Sequence, residues 1–347
     1  MQTPAVDKKP RPVAEVLPTH TPALFQAAVA RATELLRAGE AVALPTETVY
    51  GLAANALDPQ AVERIFQIKG RPAHNPIIVH VASADMAKGC VAHWPPLAET
   101  LARAFWPGPL TLVLPRAKEI PEVVTAGGPT VGVRWPSHPI IQAVIRACGF
   151  PLAAPSANPS NRVSPTTADH VRRHLGHAIR LIVDGGPCQI GIESTVLDLS
   201  ATPPRLLRPG MIHEQALLAV TGRLALGAGH GSEVLRSPGM LRKHYSPRAR
   251  LVVASWRDQD DLEAQTTGFE VPRSGIQVVA HTRIPAGVGF GRVSVIPHDA
   301  QAFARAIYAE LHACDEAGAQ LIVVEKLPEG PEWRSIADRL NKAAAPP

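Results

Sequence analysis

Leu24, Phe25, Ala28, Val29, Ala32, Leu35 and Leu36 recur at the spacing of one helix face, and Gly39 lies near the end of that run before Ala41–Leu44 begins a strand. Short apolar runs near 77–81, 110–114, 131–134, 152–154, 181–184 and 195–199 predict further strands. Helical patterns near 59–68, 97–105, 138–147 and 167–175 fall between many of them. Alternation of this kind predicts an α/β sheet covered by helices. The pattern closes around 200–210 in ATPPRLLRPGMI. From Leu251 a second α/β pattern starts: LVVAS, a helix, GIQVVA, RVSVIP, a helix from about 299 to 317, LIVVEK and a closing helix at roughly 333–344. Residues 221–249, which contain GAGHGSEVLRSPGMLRKHYSPRAR, have little periodicity and read as a linker. The first 20 residues are aperiodic and bear Pro and Lys, as a flexible arm would. The expected division is therefore an arm (1–20), a first domain (21–220), a linker (221–249) and a small second domain (250–345), with no repeat between the halves.

Composition narrows the class. A chain of 347 residues with 46% hydrophobic and 19% charged residues fits a globular protein of about two domains. Its net charge of +5, from 35 Lys+Arg against 30 Asp+Glu, is compatible with anionic ligands or RNA and proves neither. Cys90, Cys148, Cys188 and Cys314 are far apart and form no CxxC, so neither a disulfide framework nor a structural zinc site is expected, and a reducing cytoplasm is the default. No apolar stretch resembles a secretory signal or a membrane span.

The common nucleotide and hydrolase motifs are missing. There is no GxxxxGK[ST], HExxH or GxSxG, and the run Gly287–Gly291 precedes a strand where a dinucleotide loop would open a helix. His170, His174 and His177 could share one helix face, but no acidic ligand accompanies them, and a solvated face is the expectation over a metal site. Polar groups instead collect at strand ends. PTETVYGLAANA (45–56) follows a strand and places Thr46, Glu47 and Thr48 there before a Gly turn; it reads either as a capped connection to a helix or as a polar floor at a strand's C-terminal end. KGRPAHNPIIVHV (69–81) sets Lys69, Arg71, His74 and Asn75 before an apolar strand that His80 interrupts. PLAAPSANPSNRVSPT (151–166) offers hydroxyls and amides among prolines, suited to phosphates or simply to a surface loop. VGVRWPSHP adds Arg134, GIESTVLDLS adds Glu193 and Ser194, and LLRPG adds Arg208. Such strand ends together predict one polar, cationic cleft.

These segments, with FWPGPLTLVL (105–114), APSANPS and VDGG (183–186), occur in an order that resembles the YrdC/Sua5 family. SPGMLRKHYSP (237–247) and the small domain after it resemble the longer, two-domain Sua5 type, and the likeness covers about residues 22–345. It implies a twisted open sheet with a concave cationic cavity, then a linker and a Rossmann-like second domain. It further implies synthesis of L-threonylcarbamoyl-adenylate and pyrophosphate from L-threonine, bicarbonate or CO2, and ATP. That product serves the threonylcarbamoyladenosine modification of tRNAs that read codons beginning with A. Carried over by motif, the threonine pocket comprises Thr48, His80, Arg134, Ser156 and Ser194. The ATP site comprises Lys69, Arg71, Asn75, Thr130, Asn158, Ser164 and Arg208, with Tyr245 of the linker closing over it. Lys69 and Arg71 carry the catalytic charge neutralisation, and Mg2+ rides on the ATP phosphates. A tRNA threonylcarbamoyltransferase complex is the implied recipient, tRNA itself is met only indirectly or weakly, and no membrane is involved. His74 departs from the family pattern; it either adds a donor near phosphate or points to solvent. Two rival readings are an RNA-binding module, against which the 4% aromatic content counts, and carbamoyl-adenylate synthesis from carbamoyl phosphate.

Overall fold

Side-chain caps and prolines set where the helices begin. Thr21 accepts from the Leu24 amide and Pro22 opens α1 (Pro22–Arg37); Asp58 accepts from the Gln60 and Ala61 amides and Pro59 opens α2 (Pro59–Lys69), which stops at Gly70. The computed structural model describes residues 13–226, 243–286 and 289–346. Most of the expected arm and linker, the SPGM turn and part of the Gly287–Gly291 run therefore lie outside the described residues. The remaining helices are α3 (Ala84–Gly89), α4 (Pro96–Phe105), α5 (Glu122–Thr125), α6 (Pro139–Cys148), α7 (Ala168–Leu175), α8 (Glu214–Thr221), α9 (Gln259–Thr267), α10 (Ala300–Glu316) and α11 (Arg334–Ala344).

The first sheet contains β1 (Glu15–Pro18), β2 (Val42–Leu44), β3 (Gly51–Asn55), β4 (Val79–His80), β5 (Leu110–Pro115), β6 (Thr130–Arg134), β7 (Leu152–Ala153), β8 (Leu181–Asp184), β9 (Thr195–Asp198), β10 (Arg205–Arg208) and β11 (Ala225–Leu226). Their order is β1-β8-β2-β3-β7-β4-β6-β5-β9-β10-β11, and the pairing is mixed parallel and antiparallel. Two expectations need correction here. Glu15–Pro18, placed by composition in the arm, pairs in parallel with β8 as an edge strand. The segment after Thr48 is neither a Gly turn nor the approach to a helix: Gly51–Asn55 returns antiparallel to β2. Small Ala and Gly side chains hide the strand pattern, and burial between β2 and β7 overrides helix propensity.

Strand alternation then makes the cavity. Val79, Val81, Val131, Val133, Leu110, Leu112 and Leu114 point to one face and join the main core with Val62 and Ile65 of α2 and Leu101 of α4. The opposite face carries Val42, Leu44, Leu152 and Ala154 under α1 and α6. Those two helices cover part of that face, and Ile78, His80 and Arg134 line a cavity. Gly132 keeps the floor low between them, since a Cβ there would lie 3.2 Å from Thr111 and 3.4 Å from Ile78. The candidate groups thus stand on a strand face as well as at strand ends.

The second sheet, β12 (Arg250–Ala254), β13 (Ile276–Ala280), β14 (Arg292–Val295) and β15 (Leu321–Glu325), is all parallel in the order β12-β15-β13-β14. Its domain docks through α10 and α11 onto the loops that wall the cavity. Val49, Val163 and Ile192 form one core with Phe303, Ala304, Ile307 and Leu311, and Tyr245 is part of it. Contact is close enough that a Cβ on Gly191 would lie 2.4 Å from the Ala304 carbonyl. His244–Ser246, which pattern assigned to a linker, are buried in this seam.

The histidines of α7 are likewise not a solvated face. His170 stacks at 4.0 Å on His312 of α10 and His174 tilts against it at 5.3 Å, whereas His177, beyond the end of the helix, stays exposed. Burial and neighbouring cations hold His170 at about 4 and His312 at about 3, and His174 below its ordinary value. Arg173, Arg162 and Arg248 face this group, and Asp169 and Asp315 only partly offset them. A histidine whose folded pKa is depressed favours the fold above its unfolded value and opposes it as pH falls below. The melting temperature is therefore expected to fall from about pH 6.5 towards pH 4, and His312→Gln to flatten that slope. An equal slope in the variant would remove His312 from the effect.

Candidate functional site

His80 and Arg134 are register partners on parallel strands β4 and β6, so their side chains stand together on the cavity face. Burial first, and Arg134 second, hold the His80 imidazole at about 3, and it is neutral near pH 7. One ring nitrogen meets the Ile78 carbonyl, while Nδ1 has no hydrogen-bond partner. Arg134 is ion-paired with Glu47 (2.8 Å) and its Nε donates to the Gly108 carbonyl at 3.3 Å. Thr46 and Thr48 are in hydroxyl contact at 2.9 Å, which orients Thr48. Across the cavity, Ser194 Oγ lies 2.8 Å from Thr111 Oγ1, and Arg208 donates to Ser194 Oγ (3.1 Å) and to its carbonyl (3.0 Å).

The cavity is about 50 Å³. Among the expected residues, Thr48, Arg71, His80, Arg134, Ser156, Ser194, Arg208 and Tyr245 line it. Lys69, Asn75, Thr130, Asn158 and Ser164 do not. Lys69 Nζ donates to the carbonyls of Ser156 (2.5 Å) and Asn158, and its pKa is lowered by burial and then by Arg71. Asn75 accepts from Arg71 Nη2 at 2.7 Å and fixes that guanidinium, whose pKa burial lowers to about 10. Asn158 donates to the carbonyls of Pro159 and Arg162, shaping its own loop. Ser164 donates to Glu193 (2.6 Å). Thr130 starts β6, opposite Pro115. His74 is exposed.

Sequence reasoning took Glu47 only as part of a polar strand end and gave no role to His244, Tyr308 or Arg339. Glu47 and His244 adjoin residues singled out on motif, a usable signal. Tyr308 and Arg339 meet Glu193 across more than a hundred residues of chain and carry none. Tyr245, in a left-handed backbone conformation, places its phenol beside Arg71 and Arg208, and burial pushes its pKa up to about 12.

Among the described residues no group of three or more His, Cys, Asp or Glu could hold a metal ion. Glu193, which lines the cavity, and Glu47, the partner of Arg134, are each engaged by an arginine. The described residues thus offer no dedicated metal cage, and a cation held by them here would rely on oxygen atoms of the ligand. No helix among the described residues is long and apolar enough to cross a membrane.

Residues 34–210 match the Sua5/YciO/YrdC family, described as telomere recombination, and residues 211–345 match the C-terminal domain of threonylcarbamoyl-AMP synthase. A threonylcarbamoyl-AMP synthase of Pyrococcus abyssi is 40% identical over 90% of this chain and 93% of its own length. One from Bacillus subtilis is 41% identical over 96% of each. The crystal structure of P. abyssi Sua5 complexed with L-threonine superposes with a TM-score of 0.86 at 36% identity, covering 96% of this chain and 97% of that one. E. coli YciO, at 26% identity and a TM-score of 0.51, covers 57% of this chain and 96% of its own. With both parts of the chain matched and relatives aligned along nearly their whole length, the chain belongs to the YrdC/Sua5 family, in its two-domain form.

Proposed function

We propose that this protein is a threonylcarbamoyl-AMP synthase, a nucleotidyltransferase that makes L-threonylcarbamoyl-adenylate and pyrophosphate from L-threonine, bicarbonate or CO2, and ATP. The observation that carries the reading is the full-length likeness to synthases and to a threonine complex, joined to a cavity that sets an arginine fork beside a neutral imidazole. In this reading Arg134, steadied by Glu47, clamps the threonine carboxylate. His80, Thr48, Ser156 and Ser194 orient the hydroxyl and amine. The amine attacks the carbon of CO2 and loses a proton, giving an N-carboxylate. A carboxylate oxygen then attacks the α-phosphorus, the bond to the β-phosphate bridging oxygen breaks, and pyrophosphate leaves.

Anions meet in that step, and the chain's work is positioning and charge neutralisation. Arg71 and Arg208 face the phosphates, and Lys69 supports the Ser156–Asn158 loop from behind. Asn75, Asn158 and Ser164 act by holding Arg71, the loop and Glu193; Thr130 belongs to the ATP side. Mg2+ bound through the ATP phosphates would supply further neutralisation. His80 at about 3 is too weak a base to hold a proton taken from an ammonium group, so it orients. Tyr245 occupies the region between Arg71 and Arg208, and the linker acts as a lid that must yield to ATP and then exclude water from the mixed anhydride. The protein works in the cytoplasm and passes its product to a tRNA threonylcarbamoyltransferase complex.

Pyrophosphate release tests the reading against its rivals. It is expected to require threonine and bicarbonate together and to need no RNA. Release that depends on RNA, or that carbamoyl phosphate supports in place of threonine and bicarbonate, would reject it.

A further inference from the structure

The reaction scheme leaves one buried charged network without a purpose. Glu193, immediately before Ser194, accepts with Oε1 from the Ser164 hydroxyl (2.6 Å) and with Oε2 from Arg339 Nε (2.8 Å) and the Tyr308 hydroxyl (3.1 Å). Arg339 also reaches the Glu193 main-chain carbonyl with Nη2 at 3.3 Å. It thus grips both the side chain and the backbone of one residue. Arg339 and Tyr308 belong to the second domain, on α11 and α10, whereas Glu193 and Ser164 belong to the first. The arginine is 1% exposed and the glutamate 7%.

We infer that Arg339, seconded by Tyr308, is a positioning residue of the synthase cavity, through which the second domain sets the place of Ser194 and of the linker tyrosine. A docking contact alone would not call for this arrangement. Apolar packing of Val49, Val163 and Ile192 on α10 already joins the domains, and a buried ion pair adds little stability over apolar groups of the same volume. What the pair adds is geometry. Ser194 lies between Glu193, held from the second domain, and Arg208, which donates to its hydroxyl and carbonyl. The Arg339 guanidinium also lies 5.4 Å from the centre of the Tyr245 ring, and Tyr308 stacks on that ring at 6.0 Å. Asp338 holds Arg339 from behind at 2.8 Å. One side chain therefore touches both the wall and the lid of the cavity.

Burial alone would raise the Glu193 carboxyl, but Arg339, then Arg208, with hydrogen bonds from Ser164 and Arg339, hold it down to about 2. Tyr245, Tyr308, His244, Asp338, Lys342 and His312 are further titratable groups of the neighbouring elements. Without Arg339 the largest of the charges that hold the carboxyl down is gone, and burial pushes its titration up.

The inference rests on the threonine reading of the cavity, and the test keeps the two apart. Arg339→Gln, Arg339→Lys, Tyr308→Phe and the neutral pair Glu193→Gln with Arg339→Gln are made in the full chain. Each is assayed for kcat and KM with threonine and ATP varied separately, across pH, with melting temperature alongside. Arg339→Gln is expected to raise the threonine KM about tenfold and to show a pH dependence, relative to the starting protein, that the neutral pair lacks. Lysine keeps the charge but cannot bridge side chain and backbone, so Arg339→Lys is expected to lose part of the threonine affinity with no new pH dependence. The neutral pair decides: it is expected to keep its melting temperature and still show the raised threonine KM. Kinetics equal to the starting protein in a stable neutral pair would overturn the inference. Should the starting protein form no adenylate, the cavity reading fails by itself, and calorimetric threonine affinity in the same variants decides on positioning.

Discussion

Replacing Arg134 with lysine is expected to lower kcat/KM for L-threonine by about a hundredfold, equivalent to about 2.7 kcal/mol of lost transition-state stabilisation. Arg134 stands on β6 beside His80, fixed by Glu47 and by the Gly108 carbonyl. Its planar fork can meet both oxygens of a carboxylate while it keeps Glu47; an ammonium on a flexible stem cannot do both. Lysine is the better test than alanine, because alanine would leave the buried Glu47 charge unpaired and destabilise the fold by about 3–5 kcal/mol. Steady-state kinetics with threonine varied, and a melting temperature for each protein, give the answer. Threonine kinetics within a factor of about two of the starting protein would take Arg134 out of the pocket.

Arg71→Ala is expected to slow adenylate formation by about 10²–10³-fold, the usual loss when a group aimed at developing charge is removed. Asn75 holds this guanidinium at the cavity wall beside Arg208 and the Tyr245 phenol, so it is aimed before any phosphate arrives. Lys69→Ala is expected to fall in the same range by a different route, since the Lys69 ammonium bonds the carbonyls of Ser156 and Asn158 and does not line the cavity. Its loss frees the loop, so it should raise the KM for both substrates, whereas Arg71→Ala should act mainly on the step that releases pyrophosphate. Single-turnover measurement of pyrophosphate separates the two. Near-normal turnover in both variants would refute charge neutralisation by this segment.

Several parts of the site were legible in the sequence for physical reasons. Val79 and Val81 alternate with Ile78 and His80, and Val131 and Val133 with Gly132 and Arg134, so a polar residue inside an apolar run marks a strand with one face turned to a ligand. Helices opened by prolines and caps, such as α1 and α2, were equally plain. Local pattern failed where the deciding contact is distant. The β2–β3 hairpin hides in Ala and Gly because its burial comes from β7. His170 looked solvated because its partner, His312, belongs to another domain. Tyr245 looked like linker because its core is assembled from α10, α11 and three loops of the first domain. Arg339 had no local signal, since only folding brings it to Glu193.

Full-length kinship and the paired His80 and Arg134 make the central claim a chemical one: a new bond joins threonine nitrogen to a carbon taken from bicarbonate or CO2. Mass spectrometry of the nucleotide product formed from ATP, L-threonine and labelled bicarbonate reads that bond directly. The account predicts an adenylate that contains both threonine and the label, formed in step with pyrophosphate. An adenylate without the label, or one formed without threonine, would contradict it.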